Sequence, residues 1–328
     1  MATYKGIQGY SVQKLSSDPG TLGDVVGQLW YNSSTAKFKI AVQAAGAWAS
    51  GGNINTGRDD GGVVGGPPAA LFSGGAPGAK TNCESYDGSS WTAVNAMNTG
   101  RAKSASFGST TAAVAVAGNP GSVTTTETWD GTSWTNVPAV LSTGRQKFGT
   151  SNNGTTTAGL IFAGANTPGP PWYSVTLAES WDGTSWSAST AISTAREEGG
   201  GVGTQTASLL ISGYIWQTVT SALVEEWNGS AWSEEADVNT ARQASACAGT
   251  TTSAVIGGGG TNGASALTEQ YNGTTWTEVG DMGTGRSNIA KGAGASGNAC
   301  IACSGAPSSV ACEEWDGAPV SAKTVTVS

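Results

Sequence analysis

Six arginines occupy one recurring place in this sequence, and the chain has no others. They close the triplets Thr56-Gly57-Arg58, Thr99-Gly100-Arg101, Thr143-Gly144-Arg145, Thr194-Ala195-Arg196, Thr240-Ala241-Arg242 and Thr284-Gly285-Arg286. A guanidinium carries five donors in a fixed fork, so six of them could ring an anion or could each meet a carboxylate inside the fold. Cys300, Cys303 and Cys312 suggest metal ligation by spacing. On a strand, however, residues three apart point to opposite faces, and no histidine or further cysteine is placed to complete a tetrahedron. The five cysteines therefore read as small, buried, reduced residues, and no metal site or cofactor is expected. Histidine is absent altogether, which removes the commonest general base and metal ligand. No catalytic residue is assigned.

The arginines belong to a repeat, and the repeat sets the fold. Each is followed by a run of small residues, a Gly-containing turn and a signature around an aromatic residue. The signature reads Glu84-Ser85-Tyr86-Asp87-Gly88 in the first unit and Glu127-Thr128-Trp129-Asp130-Gly131 in the second. Its aromatic falls at positions 86, 129, 181, 227, 271 and 315, a spacing of 43 to 52 residues. That spacing suits a four-stranded propeller blade. Within a unit, strand A follows the arginine and strand B is apolar, as in Ala207-Ser208-Leu209-Leu210-Ile211, and ends in glycine. Strand C carries the glutamate and the aromatic and stops at Asp-Gly or Asn-Gly, a short hairpin signal in which both residues tolerate φ > 0. Strand D opens on Trp91, Trp134, Trp186, Trp232 or Trp276. Nothing in the repeats keeps a 3.6-residue apolar period.

Trp48 precedes Arg58 by ten residues, the offset that also separates Trp91 from Arg101. It thus marks a strand D without a strand C, while the last unit, ending Trp315-Asp316-Gly317, lacks its tryptophan. The simplest closure sets the Trp48 strand in the last blade and removes two sheet edges. The rival is that Lys323-Thr324-Val325-Thr326-Val327 serves instead.

Arginine, a strand ending in Gly-Gly, Glu-x-Tyr/Trp-Asp and a following tryptophan together resemble the kelch repeat, six times between residues 46 and 317. The resemblance implies an all-β fold: a six-bladed kelch-like β-propeller of four-stranded antiparallel blades, with a small N-terminal β extension. The turn between strands C and D is shorter here than in that family. Asp130-Gly131-Thr132-Ser133-Trp134 is also similar to the Asp-box of sialidases, but its aspartate stands one residue too close to the tryptophan. The copper chemistry of galactose-oxidase-type kelch enzymes needs histidine, which this chain cannot supply. The opening stretch Tyr4–Pro19, the Gly27–Lys39 hairpin and the Trp-Asp-Gly-Thr-Ser-Trp units resemble structural proteins of marine, cyanophage-like tailed phages.

These observations divide the chain into residues 1–45, an attachment segment with a β-hairpin at Gln28–Ile40, and residues 46–328, the propeller. An arginine opening strand A and a glutamate opening strand C lie two strand spacings apart, roughly 9.6 Å, across a glycine with no side chain. Six bidentate internal pairs are expected, among them Arg101 with Glu127 and Arg145 with Glu179. Ten of the thirteen tryptophans fall at repeat positions and read as core between blades. Trp172 and Trp216 fall outside the repeat, each near a tyrosine, Tyr173 and Tyr214, in the B–C loops of neighbouring units. Exposed aromatics suit stacking on sugar rings or docking a protein, so these four are the candidate ligand-binding residues.

The net charge is −8 and charged residues make up 12% of the chain, which excludes a basic nucleic-acid surface. No apolar run reaches a membrane span and the first residues lack a signal-peptide core. The resulting expectation is a non-enzymatic virion protein made in the host cytoplasm, a tail-fibre or appendage component that displays a propeller to a host-surface glycan or protein. Other virion proteins would bind its N-terminal segment, and homo-oligomers are compatible with it. The alternative is a capsid decoration or tail-assembly protein without a host ligand.

Overall fold

The computed structural model describes residues 12–20, 28–43, 46–120, 123–166, 173–260, 263–306, 309–317 and 320–326. Among them there are strands and turns and no helix. The chain divides into two compact units, Met1–Gly46 with Ala318–Ser328, and Ala47–Gly317. The sequence alone assigned everything after residue 45 to one domain. The last strand instead leaves it, because Val320–Thr324 pairs antiparallel with Lys37–Gln43.

In the smaller unit the strands lie in the order Gln13–Leu15, Leu29–Asn32, Lys37–Gln43, Val320–Thr324. The expected hairpin is present, with Tyr31 opposite Phe38 and Leu29 opposite Ile40. Asp18 ties it down. Its carboxylate accepts from Trp30 Nε1 at 3.2 Å, Asn32 Nδ2 at 2.7 Å and Lys39 Nζ at 2.6 Å. The Lys39 ammonium, with the Asn32 amide, holds that carboxyl below the usual aspartate range.

The larger unit repeats a four-stranded antiparallel meander. Gly62–Gly66, Ala69–Ser73, Cys83–Tyr86 and Trp91–Val94 form the first sheet. The second to fifth sheets are built alike, starting at Ala105, Gly149, Gly200 and Ala246. The sixth joins Ala290–Ser296, Ala299–Cys303 and Cys312–Asp316 to Ala47–Ser50, with Trp315 opposite Trp48. Thus the Trp48 strand, and not the C-terminal one, completes the last sheet. The first strands of successive sheets are neighbours, and that of the sixth pairs with that of the first at Lys291 and Gly62. Such an arrangement is multi-bladed and propeller-like.

The core lies between sheets. One cluster packs Val64, Leu71 and Cys83 of the first sheet on Ala113, Ala115 and Trp129 of the second. Equivalent clusters fill each later junction, and the last packs Ala290 and Ile301 on Val63 and Phe72. Burying small strand A residues against bulky aromatics lets the sheets approach closely. Strand D tryptophans reach across: Trp186 Nε1 donates to Thr126 Oγ1 and Trp48 Nε1 to Thr268 Oγ1, both at 2.9 Å.

The turn between strands C and D departs from a two-residue hairpin. Trp129 pairs with Trp134, so four residues form the loop. Only its glycine takes a left-handed φ, +95° at Gly131. Asp130 Oδ1 instead accepts the N–H groups of Thr132 and Ser133 at 2.8 and 2.7 Å, an Asx turn. Those bonds lower the Asp130 carboxyl to about 2. Asn228 does the same work as a neutral amide, accepting from Ser230 and Ala231 at 3.0 Å.

Candidate functional site

All six arginines are buried and all six meet the expected glutamate. Arg58–Glu84 is 2.9 Å, Arg101–Glu127 2.6 Å, Arg145–Glu179 2.7 Å and Arg196–Glu225 2.5 Å. Arg242 pairs with Glu269 and Arg286 with Glu313. The crossing over glycine is present too: a Cβ on Gly75 would stand 3.3 Å from Arg58 Cβ and Cδ. The pairs are not bidentate, however. One carboxylate oxygen takes the guanidinium and the other takes a backbone N–H three residues before the arginine. Asn98 N–H donates to Glu127 Oε2 at 2.7 Å, and Asn55, Ser142, Ser193, Asn239 and Gly283 do likewise in their sheets. That loop N–H has no strand partner, so a second guanidinium contact would leave it unsatisfied. Some of the remaining guanidinium nitrogens reach carbonyls, as Arg145 Nη1 reaches Leu177 O at 2.7 Å, whereas the Arg58 guanidinium lies 4.2 Å over the Phe72 ring. Burial pulls the Arg145 guanidinium down to about 10, which leaves it charged at neutral pH. These arginines are internal ties and leave no anion ring.

Two residues beyond each arginine, the chain turns left-handed: Asp60, Lys103, Lys147, Glu198, Ala244 and Asn288 have φ between 51° and 58°. The turn aims each amide along the ring. Lys103 N–H donates to Asp60 O at 2.7 Å, Lys147 to Lys103 at 2.9 Å, Glu198 to Lys147 at 2.7 Å and Ala244 to Glu198 at 2.9 Å. Ile289 N–H donates to Ala244 O at 3.3 Å and Asp60 N–H to Asn288 O at 3.1 Å, closing the circuit. Inside it lies a cavity of about 20 Å³ bordered by Asp60, Lys103, Lys147, Glu198, Ala244 and Ile289. Lys147 is neutralised by Glu198 at 2.6 Å and Glu197 at 3.2 Å. Burial works to lower that ammonium, but the two carboxylates outweigh it and hold it above the ordinary lysine value. Burial raises Glu197, Asp59 and Asp60, the last to about 6. Farther in, Asn152 and Asn153 cross to the fifth sheet, where Asn153 Nδ2 donates to Gly249 O at 2.8 Å.

One of the aromatic candidates is tied through its backbone to the rim, or mouth, of this circuit. Tyr214 and Glu197 exchange both backbone hydrogen bonds, at 2.7 and 2.9 Å. Ser174 Oγ donates to Tyr214 O at 3.4 Å and accepts Trp216 N–H at 3.3 Å, so Tyr173, Tyr214 and Trp216 share one loop cluster. Tyr214 stands edge-on to Trp216, ring centroids 6.4 Å apart, both half-buried, while Tyr173 is 49% exposed. The hairpin that carries two of them has nine-residue strands, Ala207–Ile215 and Val219–Trp227, and projects beyond its neighbours. Trp172 lies outside the described residues.

The left-handed positions escaped the sequence reading. Their signal is a register: position two after arginine is Asp, Lys, Lys or Glu in the first four units and Ala or Asn in the last two. The cysteines need a correction. Cys303 and Cys312 face each other across paired strands and form a disulfide, because an antiparallel pair brings opposite residues close enough to bond. Cys83, Cys247 and Cys300 are buried thiols, and burial pushes Cys83 up to about 11. Among the described residues no cluster of three metal-ligating side chains occurs.

No protein-family model and no curated protein matches this sequence. Solved structures do. That of YjhT has a TM-score of 0.63 and 13% identity, over 84% of this chain and 99% of that one. At this identity the likeness extends to the fold and no further.

Proposed function

We propose that this chain is a six-bladed, kelch-like β-propeller, closed by the Ala47–Ser50 strand, serving as a non-enzymatic structural protein of a phage virion. Six four-stranded sheets, a core at each junction and the hydrogen-bonded circuit that returns from Asn288 to Asp60 support the blade count. In this reading the unit holding both chain ends attaches to other virion proteins, and the propeller is a tail-fibre or appendage head facing a host-surface glycan or protein.

One observation carries the binding role. The repeat breaks at Tyr173, Tyr214 and Trp216, and these residues gather on one loop face where the other sheets have short connections. Aromatic rings with polar neighbours stack well on sugar rings. The test is glycan-array binding and host-cell adsorption of the full chain with Tyr173→Ala and Trp216→Ala together. Loss of both signals with unchanged thermal unfolding is expected. Adsorption equal to the unaltered chain would remove this site and favour the decoration or tail-assembly role.

A further inference from the structure

We infer that Asn228 and Asn272 are sites of spontaneous modification, at which the turn between strands C and D promotes conversion of the asparagine to aspartate through the glycine that follows it. The turn already holds each side chain for this reaction. Asn228 Oδ1 accepts the Ser230 and Ala231 N–H groups, both at 3.0 Å, and the Ser230 hydroxyl at 2.9 Å. Asn272 Oδ1 accepts the Thr274 and Thr275 N–H groups at 3.0 and 2.9 Å and the Thr274 hydroxyl at 2.9 Å. Backbone N–H donors can meet only the amide oxygen, so the amide nitrogen is turned away from them at an exposed position. The Gly229 and Gly273 N–H groups donate to no described residue.

Hydroxide removes the Gly229 N–H proton, and that nitrogen forms a bond to Asn228 Cγ. Negative charge gathers on Oδ1, where three donors stand at the distance of an oxyanion hole. The Cγ–Nδ2 bond breaks and ammonia leaves with a proton from water. Water then opens the cyclic imide at Cγ, which restores the glycine N–H and leaves a carboxyl group. Asparagine and water have become aspartate and ammonia, with no change of oxidation state. The product is a residue this turn already accommodates. Asp87, Asp130 and Asp182 hold the same place and accept the equivalent donors at 2.7–2.9 Å. Each conversion therefore adds one negative charge to an exposed turn without asking for a new backbone.

Asn153-Gly154 is the same dipeptide in a different setting. Its glycine N–H is occupied, donating to Ser151 O at 2.8 Å, and Asn153 itself donates through Nδ2 to Gly249 O at 2.8 Å. No described residue donates to its Oδ1. In Asn262-Gly263 the asparagine lies outside the described residues.

The reaction needs no ligand and does not depend on what the propeller binds. The full chain is kept in mildly alkaline buffer, folded in one sample and unfolded by guanidinium chloride in the other. Peptide mapping by mass spectrometry then follows amide-to-acid conversion at each asparagine. In the folded chain Asn228 and Asn272 should convert about tenfold faster than Asn153, and faster than in the unfolded chain, where the three should converge. Ser230→Ala removes one donor and keeps both turn amides, so it should slow Asn228 several-fold and leave Asn272 unchanged. Conversion of Asn153 at the rate of the other two in the folded chain, slower conversion of Asn228 and Asn272 folded than unfolded, or an unchanged Asn228 rate in Ser230→Ala would each overturn the proposal.

Discussion

The arginine belt and the charged mouth are built from the same stretch of each repeat, two residues apart, yet they handle charge in opposite ways. In the belt every guanidinium is paired with its glutamate, and every glutamate accepts a loop N–H on its other oxygen. At the mouth the six copies differ: Asp60, Lys103, Lys147, Glu198, Ala244 and Asn288. The backbone there is as regular as the belt, because the left-handed turn closes the circuit whatever side chain it carries. The contrast separates what the fold requires from what it leaves available. A position whose side chain completes a hydrogen-bond set is fixed by that set. A position that contributes only its amide and carbonyl to the ring can vary.

Breaking the belt should have the largest effect. Arg145→Met strands the buried Glu179 carboxylate, so it should destabilise by about 3–5 kcal/mol in denaturant unfolding. Replacing Glu179 by Gln in the same chain should recover part of the loss, because a neutral amide oxygen removes the stranded charge and can still accept the Ser142 N–H. Next comes the crossing over glycine. Gly75→Ala sets a Cβ 2.7 Å from Asp59 O at φ +119° and should cost about 1–3 kcal/mol. Gly78→Ala, with φ +69° and nothing within 4 Å, should cost about 1 kcal/mol.

At the mouth the sign reverses. The Asp60 carboxyl is raised from 3.8 to about 6 on folding, so its contribution to stability is full below pH 4 and fades as pH climbs to 6. Asp60→Asn should therefore match the unaltered chain at pH 3.5 and exceed it by about 1–3 kcal/mol at pH 7.5, since asparagine tolerates the left-handed turn. The smallest effect belongs to the exposed Asx turns. The Asp130 carboxyl is depressed to about 2, so its contribution holds above pH 4 and is lost as pH falls toward 2. Asp130→Asn should copy the neutral turn of Asn228 and flatten that part of an acid-unfolding curve, leaving neutral-pH stability unchanged.

Periodicity made the larger part of this molecule legible. The arginine–glutamate pairing, the glycine between them and the Trp48 strand in the last sheet all follow from counting offsets. Three features did not follow. Periodicity gives the positions of residues but not which oxygen meets which donor, so the backbone N–H groups on the glutamates were missed. It treats Asp-Gly as one signal, whereas Asp87 accepts from the loop's own amides and only Gly88 is left-handed. And it is blind to position two after arginine, because Asp60 and Ala244 share a backbone and not a side chain. The C-terminal strand lay beyond the repeat, where no count could assign it to Lys37–Gln43.

The division between tied and available charge is tested most directly by unfolding two single variants side by side at pH 7.5. Arg145→Met should melt well below the unaltered chain and Asp60→Asn above it. If both melt below it, the mouth charges hold the fold as the belt does.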